Sequence, residues 1–121
     1  MIVAGFGFRA TATVESLENA LAATGVRKIT AIAAPSDKAQ NDALQELASA
    51  LGMPVIEIAT ELMRSAQTIT DSSKVREKRG TGSVAEACAL VAAGDGATLT
   101  GPRVVSQDRL ATCAIARGVH R

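Results

Sequence analysis

The chain has 121 residues, enough for one hydrophobic core but short of the length at which two independent cores are usual, so residues 1–121 are expected to form a single domain with any ligand on its edge. Apolar residues make up 47% of it, yet Phe6 and Phe8 are its only aromatics, which leaves an aliphatic, alanine-rich core and two candidates for stacking on a planar ligand. Its 13 Lys and Arg against 12 Asp and Glu give a formal charge of +1, without the basic excess or aromatic interleaving of a nucleic-acid surface, and no apolar run nears membrane-spanning length; neither nucleic acid nor membrane is an expected partner.

In chain order, residues 2–4 form a short apolar run ending at Gly5, which predicts a buried strand followed by a glycine turn, Gly5-Phe6-Gly7-Phe8-Arg9. Val14, Leu17 and Leu21 then recur at helical spacing behind Thr13 as cap, and Gly25 closes that helix. Residues 29–34 read as a second buried strand and Pro35-Ser36-Asp37 as a turn. Leu44, Leu47, Ala48 and Leu51 mark a helix face closed by Gly52, and residues 54–58 a third strand. Strands alternating with helices imply a mostly parallel sheet with right-handed crossovers and helices on both faces, a three-layer α/β/α sandwich.

A short helix is expected over residues 60–64. The stretch 65–82 that follows holds few apolar residues and the basic set Lys74, Arg76, Lys78 and Arg79, and reads equally as a functional loop or a solvated face. Val84, Ala87, Cys88 and Val91 form a helix stripe closed by Gly94. Residues 97–100, 103–105 and 110–116 read as strands around Gly101-Pro102 and Ser106-Gln107-Asp108, giving a C-terminal β-hairpin and a mixed sheet.

Cys88 and Cys113 belong to no CxxC pair and are expected to be reduced and buried; the lone His120 is the penultimate residue, so neither a metal site nor a Ser/His/Asp triad is expected. The opening Met1-Ile2-Val3-Ala4-Gly5 lacks a basic leader, so a soluble protein is expected, and the reduced cysteines place it in the cytoplasm as an expectation. No cofactor is expected.

What remains is anion binding. A strand ending at Gly5 and a helix starting at Ser83 would each offer free backbone N–H groups. Gly5-x-Gly7-x-x-Ala10 superficially matches the dinucleotide fingerprint, leaving a nucleotide-phosphate module as one alternative, although Ala33-Ala34-Pro35 stands where a ribose-binding acid would be. Arg9, beside Gly7 at the carboxyl end of a strand, is either an exposed arginine or a bidentate anion ligand, and Phe8 is either wall or core. Ser36, Asp37 and Lys38 fall on the same edge; Ser36 or Asp37 is also a candidate cap for the following helix, where Lys38 would oppose the dipole and favour a compensating anion. Gly82, Ser83 and Val84 enter the next helix with capping-box spacing, Glu86 reaching back to the Ser83 N–H.

Taken in order, Gly5-Phe6-Gly7-Phe8-Arg9, Ser36-Asp37-Lys38, Gly52-Met53-Pro54, Gly82-Ser83-Val84-Ala85-Glu86-Ala87 and Thr112-Cys113-Ala114-Ile115-Ala116-Arg117 resemble the CobE family, which is similar to the C-terminal domain of CbiG in cobalamin biosynthesis. The resemblance spans nearly the whole chain. It implies a role in corrin-ring assembly, with a precorrin or corrinoid polycarboxylate as ligand and other enzymes of the corrin pathway as further partners. It also implies, as an alternative, hydrolysis of a precorrin ring lactone with release of acetaldehyde. The sequence departs from the family pattern at Phe8, where Cys is frequent, after Lys38, where Ala39-Gln40-Asn41 precede Asp42, and at Arg103, where Lys is common. These departures touch lactone chemistry more than binding. The expected ligand-binding set is therefore Gly7, Phe8, Arg9, Ser36, Asp37, Lys38, Gly82, Ser83 and Val84.

Overall fold

The computed structural model of the chain describes residues 1–71 and 82–119. Its elements are β1 (Ile2–Phe8), α1 (Val14–Ala23), β2 (Ala31–Pro35), α2 (Asp42–Leu51), β3 (Val55–Ile58), α3 (Thr60–Arg64), α4 (Val84–Ala93), β4 (Thr98–Leu99), β5 (Val104–Val105) and β6 (Ala111–Arg117). The six strands form one mixed sheet in the order β3-β2-β1-β6-β4, with β5 also on β6. β1, β2 and β3 are parallel, and β6 runs antiparallel to β1, β4 and β5, so the expected C-terminal hairpin is β5 paired with β6.

Helices cover both faces, as expected of a three-layer sandwich. On one face Leu17 and Ala20 of α1 and Leu44 and Leu47 of α2 pack with Phe6, Ile32 and Ile115. On the other, Ala87 and Cys88 of α4 and Met63 of α3 pack with Val3, Ala33 and Ile58. Burying each of the larger aliphatic side chains contributes about 1.5–3 kcal/mol. Helix starts follow local chemistry: Thr13 caps α1 in a reciprocal box with Ser16. The α2 cap is Asn41, whose Oδ1 accepts the Leu44 N–H at 3.2 Å, so the expectation that Ser36 or Asp37 caps this helix is corrected. Five residues of turn and bend, 36–40, separate β2 from that cap. Gly52 closes α2 at φ 67°, a conformation that disfavours residues with a Cβ.

The main correction concerns Gly5 and Gly7. β1 does not stop in a glycine turn; it runs through both glycines to Phe8, paired residue for residue with β6 from Ile2↔Arg117 to Phe8↔Ala111. The glycines are there for packing. Alternation along the strand sends Ala4 and Phe6 to the α1/α2 face and turns Gly5 and Gly7 towards α4. A Cβ on Gly5 would lie 2.1 Å from the Ala85 carbonyl oxygen and 2.6 Å from the Ala89 nitrogen, both backbone atoms of α4 one helical turn apart. A Cβ on Gly7 would lie 2.8 Å from Thr112 Oγ1 and 3.4 Å from Val84 Cβ.

The β5–β6 hairpin is fastened to α1 by Asp108. Its carboxylate accepts from Ser106 Oγ at 2.6 Å, from the Leu110 N–H at 3.0 Å and from Ser16 Oγ, while Asn19 Oδ1 accepts the Gln107 N–H at 2.7 Å. Within this turn Arg109 adopts φ 62°, the left-handed region, which costs an L-residue with a Cβ about 1–2 kcal/mol.

Two outcomes are expected. Gly5→Ala should destabilise the fold by about 3 kcal/mol or more in urea unfolding, because the atoms a Cβ would strike are backbone and cannot step aside. Gly101→Ala, with nothing within 4 Å of its Cβ position, should stay within about 0.5 kcal/mol of the parent. The hydroxyls of Ser106 and Ser16 and the Leu110 N–H hold the Asp108 carboxyl below its ordinary 3.8. A group depressed in the folded state stabilises fully above its unfolded value and loses that contribution as pH falls through the folded one. Urea midpoints should therefore fall more steeply below about pH 3.8 in the parent than in Asp108→Asn, the two converging in acid.

Candidate functional site

The parallel strands β1, β2 and β3 all end on one edge of the sheet, where ligands collect in open α/β folds. The α4 N-terminus reaches the same edge, because Val84 packs on Gly7 near the end of β1. The fold thus brings the nine expected residues to a common region, but it does not use them alike.

Phe8, Arg9 and Lys38 form a corner of their own. The Lys38 ammonium donates to the Phe8 carbonyl at 3.1 Å and stands 5.3 Å from the centroid of the Phe8 ring, so a cation–π contact and a hydrogen bond hold the half-buried lysine against the end of β1. Lys38 lies before the Asn41 cap and outside the first turn of α2, so the expected conflict with the helix dipole does not arise. Arg9 has an exposed side chain, and its N–H donates to the Leu110 carbonyl at 2.9 Å, extending the β1–β6 pairing by one residue. Ser36 and Asp37 are exposed beside this corner; the Ser36 N–H is occupied by the Ile58 carbonyl at 2.9 Å.

Gly7, Gly82, Ser83 and Val84 have a different function in the fold. Gly7 lies inside a paired strand, and its carbonyl accepts from Thr112 Oγ1 at 3.2 Å. The strand continuing through Gly5 and Gly7 also removes the turn that a dinucleotide fingerprint requires. Gly82 is buried with its Cβ position 2.5 Å from the Thr70 carbonyl oxygen, and Ser83 is wholly buried with its Oγ accepting the Glu86 N–H at 3.3 Å. These residues seat α4 and the chain leading into it. The remaining basic set of the long loop, Lys74, Arg76, Lys78 and Arg79, together with Gly80 and His120, lies outside the described residues.

Glu86 is the residue that sequence spacing misplaced. The expected capping box is only half formed, since the Glu86 carboxylate turns to other donors. It accepts from the Thr70 N–H at 2.9 Å, the Arg103 N–H at 2.8 Å, the Ile69 N–H and Thr70 Oγ1. No part of it is exposed. A buried carboxylate needs such donors, because leaving it without them would cost far more than any packing gain. The sequence signal was a single acid in a stripe of small apolar residues, Ala85, Ala87, Cys88 and Ala89.

Both cysteines are buried thiols; Cys88 Sγ donates to Met63 Sδ at 3.6 Å, and burial pushes the Cys113 thiol up, as suits inert core residues. Two cavities are lined by none of the nine residues. One of about 550 Å³ lies between the Leu62 to Ile69 segment, the second half of α4 and β4, with Leu62, Ala66, Leu90, Val91 and Leu99 in its walls. The other, of about 500 Å³, opens between the starts of α1 and α2 and is acidic, with Glu15, Asp42 and Glu46 beside Thr13 and Asn41. Among the described residues no helix is long and apolar enough to cross a membrane.

Known proteins place this fold. A family described as "Cobalamin synthesis G C-terminus" matches residues 2–116. Among solved structures, CobE, a protein from the cobalamin (vitamin B12) biosynthetic pathway, is 29% identical and superposes with a TM-score of 0.84, over 100% of this chain and 93% of that one. The cobalamin biosynthesis protein chiG from Agrobacterium tumefaciens str. C58 is 32% identical with a TM-score of 0.76, over 99% of this chain and 100% of that one. A putative cobalamin biosynthesis protein G homolog from Sulfolobus solfataricus shares the fold at 19% identity and a TM-score of 0.69, this chain covering 36% of it with 95% of its own length. No curated protein matches the chain. With nearly its whole length matched by that family and two solved relatives of the same pathway, the chain belongs to the cobalamin synthesis G C-terminus family and is a cobalamin biosynthesis protein.

Proposed function

We propose that this protein binds a precorrin or corrinoid polycarboxylate at the carboxyl edge of its sheet, with the corner of Phe8, Arg9 and Lys38 as the principal contact. The observation that carries the reading is the Lys38 ammonium held over the Phe8 ring and on the Phe8 carbonyl, beside an exposed Arg9. An ammonium has three donors; the Phe8 carbonyl takes one, and the others remain for peripheral carboxylates of a ligand. A guanidinium next to it supplies the bidentate geometry that a carboxylate fits.

Two features of the surroundings refine how the ligand would lie. The Phe8 ring face covered by Lys38 is closed to stacking, so Phe8 positions the cation and meets a macrocycle only with its remaining surface. The acidic groove of Glu15, Asp42 and Glu46 would repel a polycarboxylate, which keeps the ligand on the Arg9 and Lys38 side of the edge. Because Ser83 is buried and its hydroxyl engaged, the α4 N-terminus contributes through its field rather than through that side chain.

The test is a visible-absorbance titration with hydrogenobyrinic acid, a metal-free corrinoid, at low and high salt. A saturable spectral shift is expected, weakened by salt as screened ion pairs are. Arg9→Ala and Lys38→Ala should each bind about tenfold more weakly, roughly 1.4 kcal/mol, with urea midpoints close to the parent. Affinity unchanged in both variants would show that the ligand binds elsewhere.

A further inference from the structure

We propose that Arg109 is a further carboxylate-binding residue of this edge, set beside Arg9 by the tip of the β5–β6 hairpin. The inference rests on the corrinoid-binding reading above and adds to it a contact that neither the sequence pattern nor the strand ends suggest. Its position follows from the pairing: β1 and β6 are in register as far as Phe8↔Ala111, and the next bond is the Arg9 N–H to the Leu110 carbonyl at 2.9 Å. Arg109 precedes Leu110, so its backbone is the diagonal neighbour of Arg9 where β1 ends and the turn leads into β6.

Its conformation is the second observation. Arg109 alone among the described non-glycine residues has a positive φ, 62°, at a turn position that glycine or asparagine would fill without cost. Strain of this kind persists only where the surroundings over-determine it, and it clusters at ligand contacts. Here the surroundings are explicit. The Arg109 N–H donates to the Ser106 carbonyl at 2.9 Å, and the Ser106 N–H to the Ala111 carbonyl at 2.9 Å. The Ala111 N–H donates to Ser106 Oγ at 3.1 Å, and that hydroxyl donates to Asp108 at 2.6 Å. Asp108 in turn accepts from Ser16 Oγ, and Ser16 and Ser106 are 1% and 2% exposed. The tip is thus a rigid mount anchored in α1.

The charge it carries is the third. The carboxylate next in sequence, Asp108, is committed to Ser16, Ser106 and Leu110 and does not neutralise the guanidinium. The exposed side chains of Arg9 and Arg109 have no hydrogen bond or ion pair among the described residues. Two uncompensated guanidiniums, one just past the end of β1 and one in the turn before β6, repel one another until an anion lies between or against them. A ligand with several carboxylates on one rim meets that requirement, and the fork geometry of each arginine accepts a carboxylate through two N–H groups.

The test uses Arg109→Gly, since glycine fits φ 62° and relieves the strain while removing the charge. In the hydrogenobyrinic acid titration this variant should bind about tenfold more weakly at low salt, with a shallower salt dependence, and its thermal midpoint should equal or exceed that of the parent. Arg109→Lys should recover part of the affinity. If Arg9→Ala and Lys38→Ala weaken binding and Arg109→Gly does not, Arg109 is no contact and the corrinoid-binding reading survives. If the parent protein itself gives no spectral shift, that reading fails and the role of Arg109 with it.

Discussion

The constraint on which the rest of the structure depends is the contact of backbone against backbone where α4 crosses β1. With no side chain at Gly5, the helix lies directly on the strand through Ala85 and Ala89, closer than any residue with a Cβ would allow. That closeness dictates the composition of α4 where it crosses Gly5, alanine at 85 and 89. Glu86, the residue after Ala85, is covered instead by the segments holding Ile69, Thr70 and Arg103, and its carboxylate is wholly buried. It is then satisfied by main-chain donors from segments that would otherwise have little to hold them, at Ile69 and Thr70 on one side and Arg103 on the other.

A division of labour between the two faces follows. The α4 face is closed and tightly fitted, with glycine, alanine and a buried carboxylate setting its spacing. The edge near the α1/α2 face carries Arg9, one residue past β1, and Lys38, in the turn after β2 and tied to the Phe8 carbonyl. A cation tied down as Lys38 is has less conformational entropy left to lose in any further contact. The acidic groove between α1 and α2 sets a boundary to that positive field, so the edge has a direction as well as a sign.

Much of this was legible in the sequence where periodicity carried it. The alternation of buried strands and amphipathic helices, the short α3, the C-terminal hairpin and the common edge for Arg9, Ser36 and Lys38 all follow from hydrophobic spacing and the geometry of parallel crossovers. Gly5 and Gly7 were misread because a glycine pair after an apolar run looks the same whether the chain turns there or another element packs on it. Only the identity of the neighbour, α4, which lies far along the chain, separates the two. Asn41 was passed over as cap because Ser36 and Asp37 are equally good capping types and the turn between them leaves no periodic trace. Glu86 had the spacing of a capping box, and its true partners, Ile69, Thr70 and Arg103, are not local in sequence. Resemblance to a known family supplied what physics alone could not, the biosynthetic pathway.

The pairing of β1 with β6 has a consequence for how the molecule comes into being. It joins Ile2 to Arg117 in the centre of the sheet, so the first strand made is completed by the last. Loop-closure entropy rises only slowly with length, about 0.6 kcal/mol per doubling, and the finished fold bears this connection at little thermodynamic cost. Kinetically the effect is larger, because contacts distant in sequence form late and slow the approach to the native state. A nascent chain that has not yet produced β6 carries β1 as an open, alanine- and glycine-rich edge whose backbone groups on that side are unpaired. Such an edge is a template for pairing with other chains, so synthesis and folding of this protein pass through a stage in which its most central strand is its most exposed.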